Sequence, residues 1–234
     1  MHTSPEVVRG CMHFLQKGTD MAYFPMFVDL KEKECLIIGG GRVAYRKVCV
    51  LNDFEAKVTV IASQICDQIR ETERVRLIER DYEERDLVRQ TLVIAATDDP
   101  VLNHEIAERC KGNGILVNAV DQIEDCTFIF PSYIKEQNLV AAFSSSGKSP
   151  VITQYLKEKT RPVLNEPLGE LTELLGSVRA EVKQAVEGEE NRKQVYREIL
   201  EMFLEQEELP DRKQIDKIIK NTERSREKWI EQED

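Results

Sequence analysis

The amino-acid sequence predicts an α/β fold with a doubly wound parallel sheet, a strand hairpin after that sheet, and an all-helical C-terminal region. Over the first half of the chain, short apolar runs rich in β-branched residues alternate with amphipathic helical patterns. Glycines follow the first buried run, and strand-like patterns disappear from Arg161 onward. Strands that alternate with helices indicate a parallel sheet with helices on both faces.

Composition excludes several classes of partner. The chain has 234 residues and a net charge of −10, whereas surfaces that bind nucleic acid carry excess Lys and Arg. No apolar run approaches the length of a membrane span. The six cysteines form no Cys-x-x-Cys pair, which is typical of reduced thiols. We expect a cytoplasmic protein that binds neither nucleic acid nor membranes.

The glycine turn at residues 39–41 is the most informative motif. It follows the apolar run 35–38 and precedes a helical pattern over 43–51, and Gly39-x-Gly41-x-x-Ala44 fits the dinucleotide fingerprint of Rossmann-type domains. In that motif, backbone N–H groups at a helix N-terminus face a pyrophosphate. The predicted cofactor contacts here are Gly39, Gly41, Arg42 and Val43. A plain glycine-rich turn in another α/β domain is the alternative.

The end of the second predicted strand, 57–61, is where such domains hold the adenosine ribose. An Asp or Glu is common there, but this chain has Ala62-Ser63-Gln64. Ser63 and Gln64 are the predicted ribose contacts. No arginine follows until Arg70, so a 2′-phosphate has no obvious partner, which favours NAD over NADP.

Later strands carry the remaining candidates of the sheet. The run 91–96 is followed by Thr97 and Asp98. The run 115–120 contains Asn118 and is followed by Asp121. Ligands bind at the carboxyl ends of parallel strands, so Thr97, Asp98 and Asn118 are predicted cofactor contacts. Asp121 is either a catalytic carboxylate or a simple turn residue.

The other predicted elements complete the first half of the chain and connect it to the next part. They are an edge strand over 23–30, a helix over 65–73, a strand over 75–79, a helix over 100–111, and a hairpin of 127–134 with 139–143 that extends the sheet.

A serine-rich loop, 144–149, precedes a helix predicted over 151–159. Ser149 suits the N-cap and Pro150 the first helical turn, which predicts a second anion site with substrate contacts at Ser145, Gly147, Lys148 and Ser149. A plain capped loop is the alternative. The predicted division of the chain is an N-terminal extension (1–21), a dinucleotide-binding domain (22–125), a strand extension and dimerisation region (126–150) and a helical domain (151–234).

The last helices carry apolar stripes that need a partner surface. One stripe contains Val195, Ile199, Met202 and Phe203, and another contains Ile215, Ile218, Ile219, Trp229 and Ile230. We expect a homodimer formed through this region.

Several motifs together resemble one family. They are residues 24–30 (Phe-Pro-Met-Phe-Val-Asp-Leu), the glycine turn with Arg46-Lys47, residues 95–99, 117–121 and 128–131, and the loop 145–150. Over roughly residues 22–160 they resemble the precorrin-2 dehydrogenase and sirohydrochlorin ferrochelatase family, the N-terminal module of siroheme synthases. The resemblance implies NAD-dependent oxidation of the tetrapyrrole precorrin-2 to sirohydrochlorin, and a homodimer.

The resemblance also implies roles for individual residues. Asp121 matches the catalytic aspartate, Arg42-Val43 and Ser63-Gln64 match cofactor contacts, and Ser145 matches a serine that is phosphorylated in some relatives. One alternative is a bifunctional enzyme that also inserts ferrous iron, and another is a NAD-sensing regulatory domain. His104 is expected on the surface or at a cap, no resident metal is expected, and iron would be a substrate.

Overall fold

The structure is a computed structural model that describes residues 23–230, with side chains described as far as residue 222. The predicted extension 1–21 and the side chains of Trp229 and Ile230 lie outside the described residues. Residues up to Phe130 and residues from Pro131 form two compact units, which are described separately.

The first unit contains five strands and three helices within the described part of the chain. The strands are β1 (Glu34–Ile38), β2 (Lys57–Ile61), β3 (Val75–Ile78), β4 (Leu92–Ala95) and β5 (Leu116–Ala119). The helices are α1 (Arg42–Asp53), α2 (Asp67–Arg70) and α3 (Pro100–Gly112), with 3-10 turns at Glu84–Leu87 and Ile123–Asp125.

The five strands form one parallel sheet in the order β3-β2-β1-β4-β5. The strand order reverses direction at β1, as the predicted doubly wound fold requires. β4 is buried along its whole length, and β1 is buried except at its first residue, which explains their uninterrupted apolar sequences. One core cluster contains the inward face of α1 and the other contains that of α3.

Two local predictions in this unit are wrong. Residues 23–30 form neither a strand nor a helix, and the side chains of Phe24 and Phe27 are exposed. Because Phe24 and Phe27 are not buried, this segment gains little apolar burial that would favour a strand. The predicted helix 65–73 is only one turn, α2, which ends at Arg70. It begins no earlier than Asp67 because Ile65 and Cys66 pack against the glycine turn, where the Cys66 N–H donates to the Gly40 carbonyl.

The second unit begins with an antiparallel hairpin, β6 (Ser132–Glu136) and β7 (Leu139–Phe143). The prediction that this hairpin extends the main sheet is wrong, because β6 and β7 form a two-stranded sheet of their own. Both strands contact α4 (Pro150–Thr160) and α5 (Glu166–Ala185). Gly169 allows a close approach, since a Cβ there would lie 2.9 Å from the Glu136 carbonyl oxygen.

The remaining helices, α6 (Glu189–Gln206) and α7 (Arg212–Ile230), pack with α5. Their core contains most of the predicted stripes: Val195, Ile199, Phe203, Ile215, Ile218 and Ile219 are buried, and Met202 packs against them. The reason given for a partner surface is therefore wrong for these residues, which cover one another within the chain. Among the described residues, no helix has the length and apolar character needed to span a bilayer.

Candidate active site

The glycine turn after β1 is shaped by two close backbone contacts. Gly39 has φ +124°, and a Cβ on it would lie 2.2 Å from the Ala96 carbonyl oxygen. A Cβ on Gly40 would lie 2.0 Å from the Gln64 carbonyl oxygen. Only glycine fits either position, so the turn is pressed against the segments that follow β4 and β2.

Gly41 differs from its two neighbours. A Cβ built on it meets nothing within 4 Å. Gly41 is also the N-cap of α1, and no side chain caps this helix or places a carboxylate in its first turn. By contrast, Asp99 caps α3 and Ser149 caps α4. The first N–H groups of α1 therefore face open space, an arrangement that suits a pyrophosphate.

The predicted ribose contacts lie beside this turn. Ser63 and Gln64 follow β2 and are exposed, and the Gln64 backbone touches Gly40. Arg42 begins α1 with an exposed side chain, and Val43 is partly buried behind it. The structure thus brings Gly39, Gly41, Arg42, Val43, Ser63 and Gln64 together around one turn.

The end of β4 is held by a residue that the sequence analysis missed. Asn103, 3% exposed on α3, accepts hydrogen bonds from the Thr97 N–H (3.1 Å) and the Thr97 hydroxyl (2.8 Å), and donates to the Thr97 carbonyl (3.1 Å). Thr97 is thus fixed in place, while Asp98 is exposed. The sequence pattern could have indicated this residue, because Asn103 is a polar residue on the apolar face of α3, together with Ile106, Ala107 and Cys110.

Asn118 makes hydrogen bonds within the protein. It is buried in β5, and its amide donates to the Phe128 carbonyl at 3.1 Å and to Cys126 Sγ at 3.3 Å. These bonds fasten the segment after the sheet to β5. Phe130 lies on the same segment, and its ring centroid is 3.7 Å from the ammonium of Lys47 in α1. Burial lowers the pKa of Lys47. Cofactor contact by Asn118 stays a prediction.

Asp121 is exposed and stands two residues beyond the end of β5. Its φ is +62°, the left-handed region, which Asp tolerates better than most residues. The flanking backbone is fixed, since the Val120 N–H donates to the Ala95 carbonyl and the Gln122 side-chain amide donates to the Pro100 carbonyl at 3.0 Å. The carboxylate therefore projects from a positioned turn at the same sheet edge as the glycine turn.

The 3-10 turn after Asp121 is tied to α3 by an ion pair. His104 Nδ1 lies 2.9 Å from both carboxylate oxygens of the buried Asp125, and this contact raises the pKa of His104. The predicted surface position of His104 is correct, but its partner was not foreseen.

The atoms of His104, Glu108 and Asp125 that could bind a metal lie within 4.8 Å of one another. The Lys111 ammonium already contacts Glu108 at 2.9 Å and Asp125 at 3.4 Å, so a cationic side chain balances these carboxylates. The absence of a resident metal stays a prediction.

The loop 144–149 lies in the second unit. Ser149 caps α4 through a 3.4 Å bond from the Ile152 N–H, and Pro150 is the first helical residue, as predicted. Ser145 Oγ accepts from the Ser149 N–H (2.9 Å) and donates to the Ser149 carbonyl (3.1 Å). Gly147 has φ +78°, and Lys148 is exposed. The loop is thus a closed, internally bonded turn, and substrate binding by its residues stays a prediction.

The open helix N-terminus, the pressed glycine turn and the polar ends of β4 and β5 define a dinucleotide-binding domain of the Rossmann type. A family model described as putative NAD(P)-binding matches residues 26–132. This match confirms the predicted class of cofactor.

The chain is also similar to siroheme synthases. That of Vesicomyosocius okutanii is 36% identical over 182 residues, which cover 76% of this chain and 39% of the relative. That of Pseudoalteromonas atlantica is 38% identical over 184 residues, which cover 77% of this chain and 40% of the relative. The chain thus spans about two fifths of the length of these relatives.

Among solved structures, SirC, a precorrin-2 dehydrogenase, is similar to this chain with a TM-score of 0.71. The two are 23% identical, and the match covers 86% of this chain and all of SirC. The fold is therefore shared over nearly the whole chain. Together the comparisons confirm the resemblance predicted from the motifs: over about three quarters of its length this chain is similar to siroheme synthases.

Proposed function

We propose that this protein is an NAD-dependent dehydrogenase that oxidises precorrin-2 to sirohydrochlorin in siroheme biosynthesis. The observation that carries the proposal is the sheet edge where the open N-terminus of α1 and the Asp121 carboxylate both lie, at the ends of β1 and β5. In the order β1-β4-β5, only β4 separates the two. Ligands of doubly wound sheets bind at this edge, next to the position where the strand order reverses.

The residues present fit the dinucleotide. Gly41 leaves space for the pyrophosphate, the first amides of α1 would hold it, and Ser63 and Gln64 would offer hydrogen bonds to the ribose. When bound, oxidised NAD supplies the acceptor for a hydride. Thr97 and Asp98 extend the contact surface beside β4, and the hydrogen bonds that Thr97 donates to Asn103 keep Thr97 in a single position.

Asp121 supplies the acid–base chemistry in this proposal. Conversion of precorrin-2 to sirohydrochlorin removes two hydrogens, one as a hydride to the nicotinamide and one as a proton. A carboxylate at the rim of the site accepts that proton. Because Gln122 anchors the turn to Pro100, the backbone that carries Asp121 is positioned before substrate binds.

The substrate contacts stay predictions at Ser145, Gly147, Lys148 and Ser149. Their support is chemical, since tetrapyrroles of this pathway carry several carboxylates that a lysine and the N-terminus of α4 would attract. The bifunctional alternative adds insertion of ferrous iron, with the iron as a substrate and Asp121 accepting pyrrole protons. The alternative of a different class is a NAD-sensing domain, which would bind NAD without turnover.

The deciding experiment mixes the purified protein with precorrin-2 and NAD⁺ and follows the absorbance of NADH. Growth of the NADH signal together with sirohydrochlorin is the expected result. Binding of NAD⁺ without turnover would support the sensor, and neither binding nor turnover would overturn both readings. Addition of ferrous iron to the product then tests for formation of siroheme. Asp121→Asn, which lacks the proposed base, is the matched control for both reactions.

We also propose a homodimer and a cytoplasmic location. The outer face of α4 exposes Val151, Ile152, Tyr155 and Leu156, a contiguous apolar surface of the kind that marks an interface. Cys35, Cys49, Cys66, Cys110 and Cys126 are free thiols, as is typical of a reducing compartment.

A further inference from the structure

Glu79, the residue after β3, places a carboxylate beside the predicted ribose position at the end of β2. The segment that follows β2 has no carboxylate of its own. In the parallel register of the two strands, Ile61 pairs with Ile78, so Glu79 is level with Ala62. The Ala62 N–H donates to the Ile78 carbonyl at 3.3 Å, which keeps the two exits together. Glu79 therefore stands, on the neighbouring strand, level with the segment Ala62-Ser63-Gln64, which contains no acid of its own.

Glu79 is bound to the first arginine that follows the ribose segment. Arg70 donates two parallel hydrogen bonds of 2.7 Å to the Glu79 carboxylate. Its Nε also donates to the Ile65 carbonyl at 3.1 Å. This fork-to-fork geometry satisfies both carboxylate oxygens and gives the guanidinium one orientation.

The Arg70–Glu79 pair is close to the phosphate turn. Gly40 packs against Gln64 and Ile65, and the Ile65 carbonyl is the atom that Arg70 Nε bonds. One residue thus separates the guanidinium from the glycine turn. An arginine in this place is what a domain uses to accept a 2′-phosphate.

A second arginine at the same edge is neutralised in the same way. Arg80, which follows Glu79, makes bonds of 2.8 and 2.6 Å to the two carboxylate oxygens of Asp86. At the exit of β3, then, Arg70 and Arg80 both have a carboxylate partner. Arg42 also lies near the turn, but it begins α1, where the pyrophosphate common to both dinucleotides is expected.

We infer that the Arg70–Glu79 ion pair selects NAD and excludes NADP. This inference rests on the dinucleotide site proposed above. A 2′-phosphate would have to displace Glu79 from Arg70 or lie beside an uncompensated carboxylate, and both outcomes are unfavourable. A ribose with a free 2′-hydroxyl meets neither penalty.

The test measures Kd for NAD⁺ and for NADP⁺ by titration calorimetry, without any reaction. The wild-type protein should bind NAD⁺ at least about tenfold more tightly than NADP⁺. Glu79→Gln removes the negative charge and frees Arg70, so affinity for NADP⁺ should rise about tenfold or more while affinity for NAD⁺ changes less than about threefold. Circular dichroism verifies that the variant is folded.

Two controls separate this mechanism from general charge effects. In the double variant Arg70→Ala with Glu79→Gln, the gain for NADP⁺ should disappear, because the freed guanidinium is gone. Arg42→Ala should weaken both dinucleotides by similar factors, because it faces their shared pyrophosphate. Unchanged NADP⁺ affinity in folded Glu79→Gln, or a wild-type protein that binds both equally, would overturn the inference while leaving the cofactor site standing. If the wild type binds neither dinucleotide, the cofactor site fails as well.

Discussion

His104 Nδ1 lies 2.9 Å from both carboxylate oxygens of Asp125, and this contact fastens the 3-10 turn that follows Asp121 to helix α3. Asp125 is buried, whereas about half of the His104 side chain is exposed. The other charged groups that face His104 are Glu108 and Lys111, both from α3. The Asp125 contact is the largest cause of the raised pKa of His104.

This pair predicts a pH-dependent contribution to stability. Because the pKa of His104 is raised in the folded state, the contribution is full below the ordinary histidine pKa, about 6.5, and is lost as pH rises through the folded value. The difference in Tm between the wild type and His104→Ala should therefore be larger near pH 6 than near pH 9. Glu105→Gln, a neighbouring exposed change, should show no such step. A Tm difference for His104→Ala that does not vary with pH would contradict this account.

Gly41 predicts loss of NAD⁺ binding without loss of the fold. A Cβ on Gly41 meets no protein atom, so Gly41→Ala should unfold at the same urea concentration as the wild type. Its methyl group fills the space that the pyrophosphate needs, and Gly41→Asp adds a repelling charge, so affinity should fall for Ala and be abolished for Asp. Titration calorimetry with NAD⁺ measures both.

Gly112 is the matched control, because a Cβ on it also meets nothing within 4 Å and it lies at the far end of α3. Gly112→Ala should bind NAD⁺ normally. Normal NAD⁺ affinity in folded Gly41→Asp would remove the glycine turn from the site.

Asn103 predicts a stability loss that the apolar pattern of α3 alone would not suggest. Asn103→Ala leaves the Thr97 N–H and carbonyl without their partners in a part-buried position, which costs about 1–3 kcal/mol. Urea denaturation measures this difference. Asn103→Asp turns a carboxylate oxygen toward the Thr97 carbonyl in a buried site and should also be destabilising. If Asn103→Ala is as stable as the wild type, the hydrogen bonds between Asn103 and Thr97 contribute nothing to the free energy of unfolding.

The sequence predicted elements whose character is local and missed features that depend on pairing across the sheet. The bounds of β2 match the predicted run, because Val58, Val60 and Ile61 are buried β-branched residues whose pattern is visible in the chain itself. The turn at Gly39 to Gly41 was likewise readable from spacing alone. The bond between Arg70 and Glu79 was not, since it depends on how α2 packs beside the end of β3, and the two residues are nine positions apart.

The errors have similar physical causes. Cys66 continues a helical pattern, but its N–H donates to the Gly40 carbonyl, and this tertiary contact moves the start of the helix to Asp67. The hairpin of β6 and β7 has strand-like sequences, yet nothing in those sequences states which strand they pair with. The apolar stripes of α6 and α7 were visible, but their mutual packing depends on the turn between these helices.

The exposed face of α4 predicts a self-association that one charge disrupts. The protein should scatter light as a species of twice the chain mass at micromolar concentration, because Ile152 and Tyr155 are more than half exposed on one helix. Tyr155→Glu places a charge on that face and should yield the monomer. Gln154→Glu adds a charge to an exposed polar position of the same helix and should stay dimeric. A wild-type monomer would contradict the proposal.

Asp121 predicts a loss of chemistry with little loss of binding. If it is the general base, Asp121→Ala should reduce kcat for precorrin-2 oxidation by at least about 100-fold, the usual size of such a contribution, while Kd for NAD⁺ stays within about threefold. Because φ at this position is +62°, Ala also strains the turn, whereas Asn adopts that conformation as readily as Asp. Asp121→Asn is therefore the sharper variant: it keeps shape and backbone, removes basicity, and should be nearly as inactive. NADH production in stopped-flow and steady-state assays measures kcat, and calorimetry measures binding. Most of the activity surviving in Asp121→Asn would make Asp121 a residue that positions substrate, and survival in Asp121→Ala as well would place the base elsewhere.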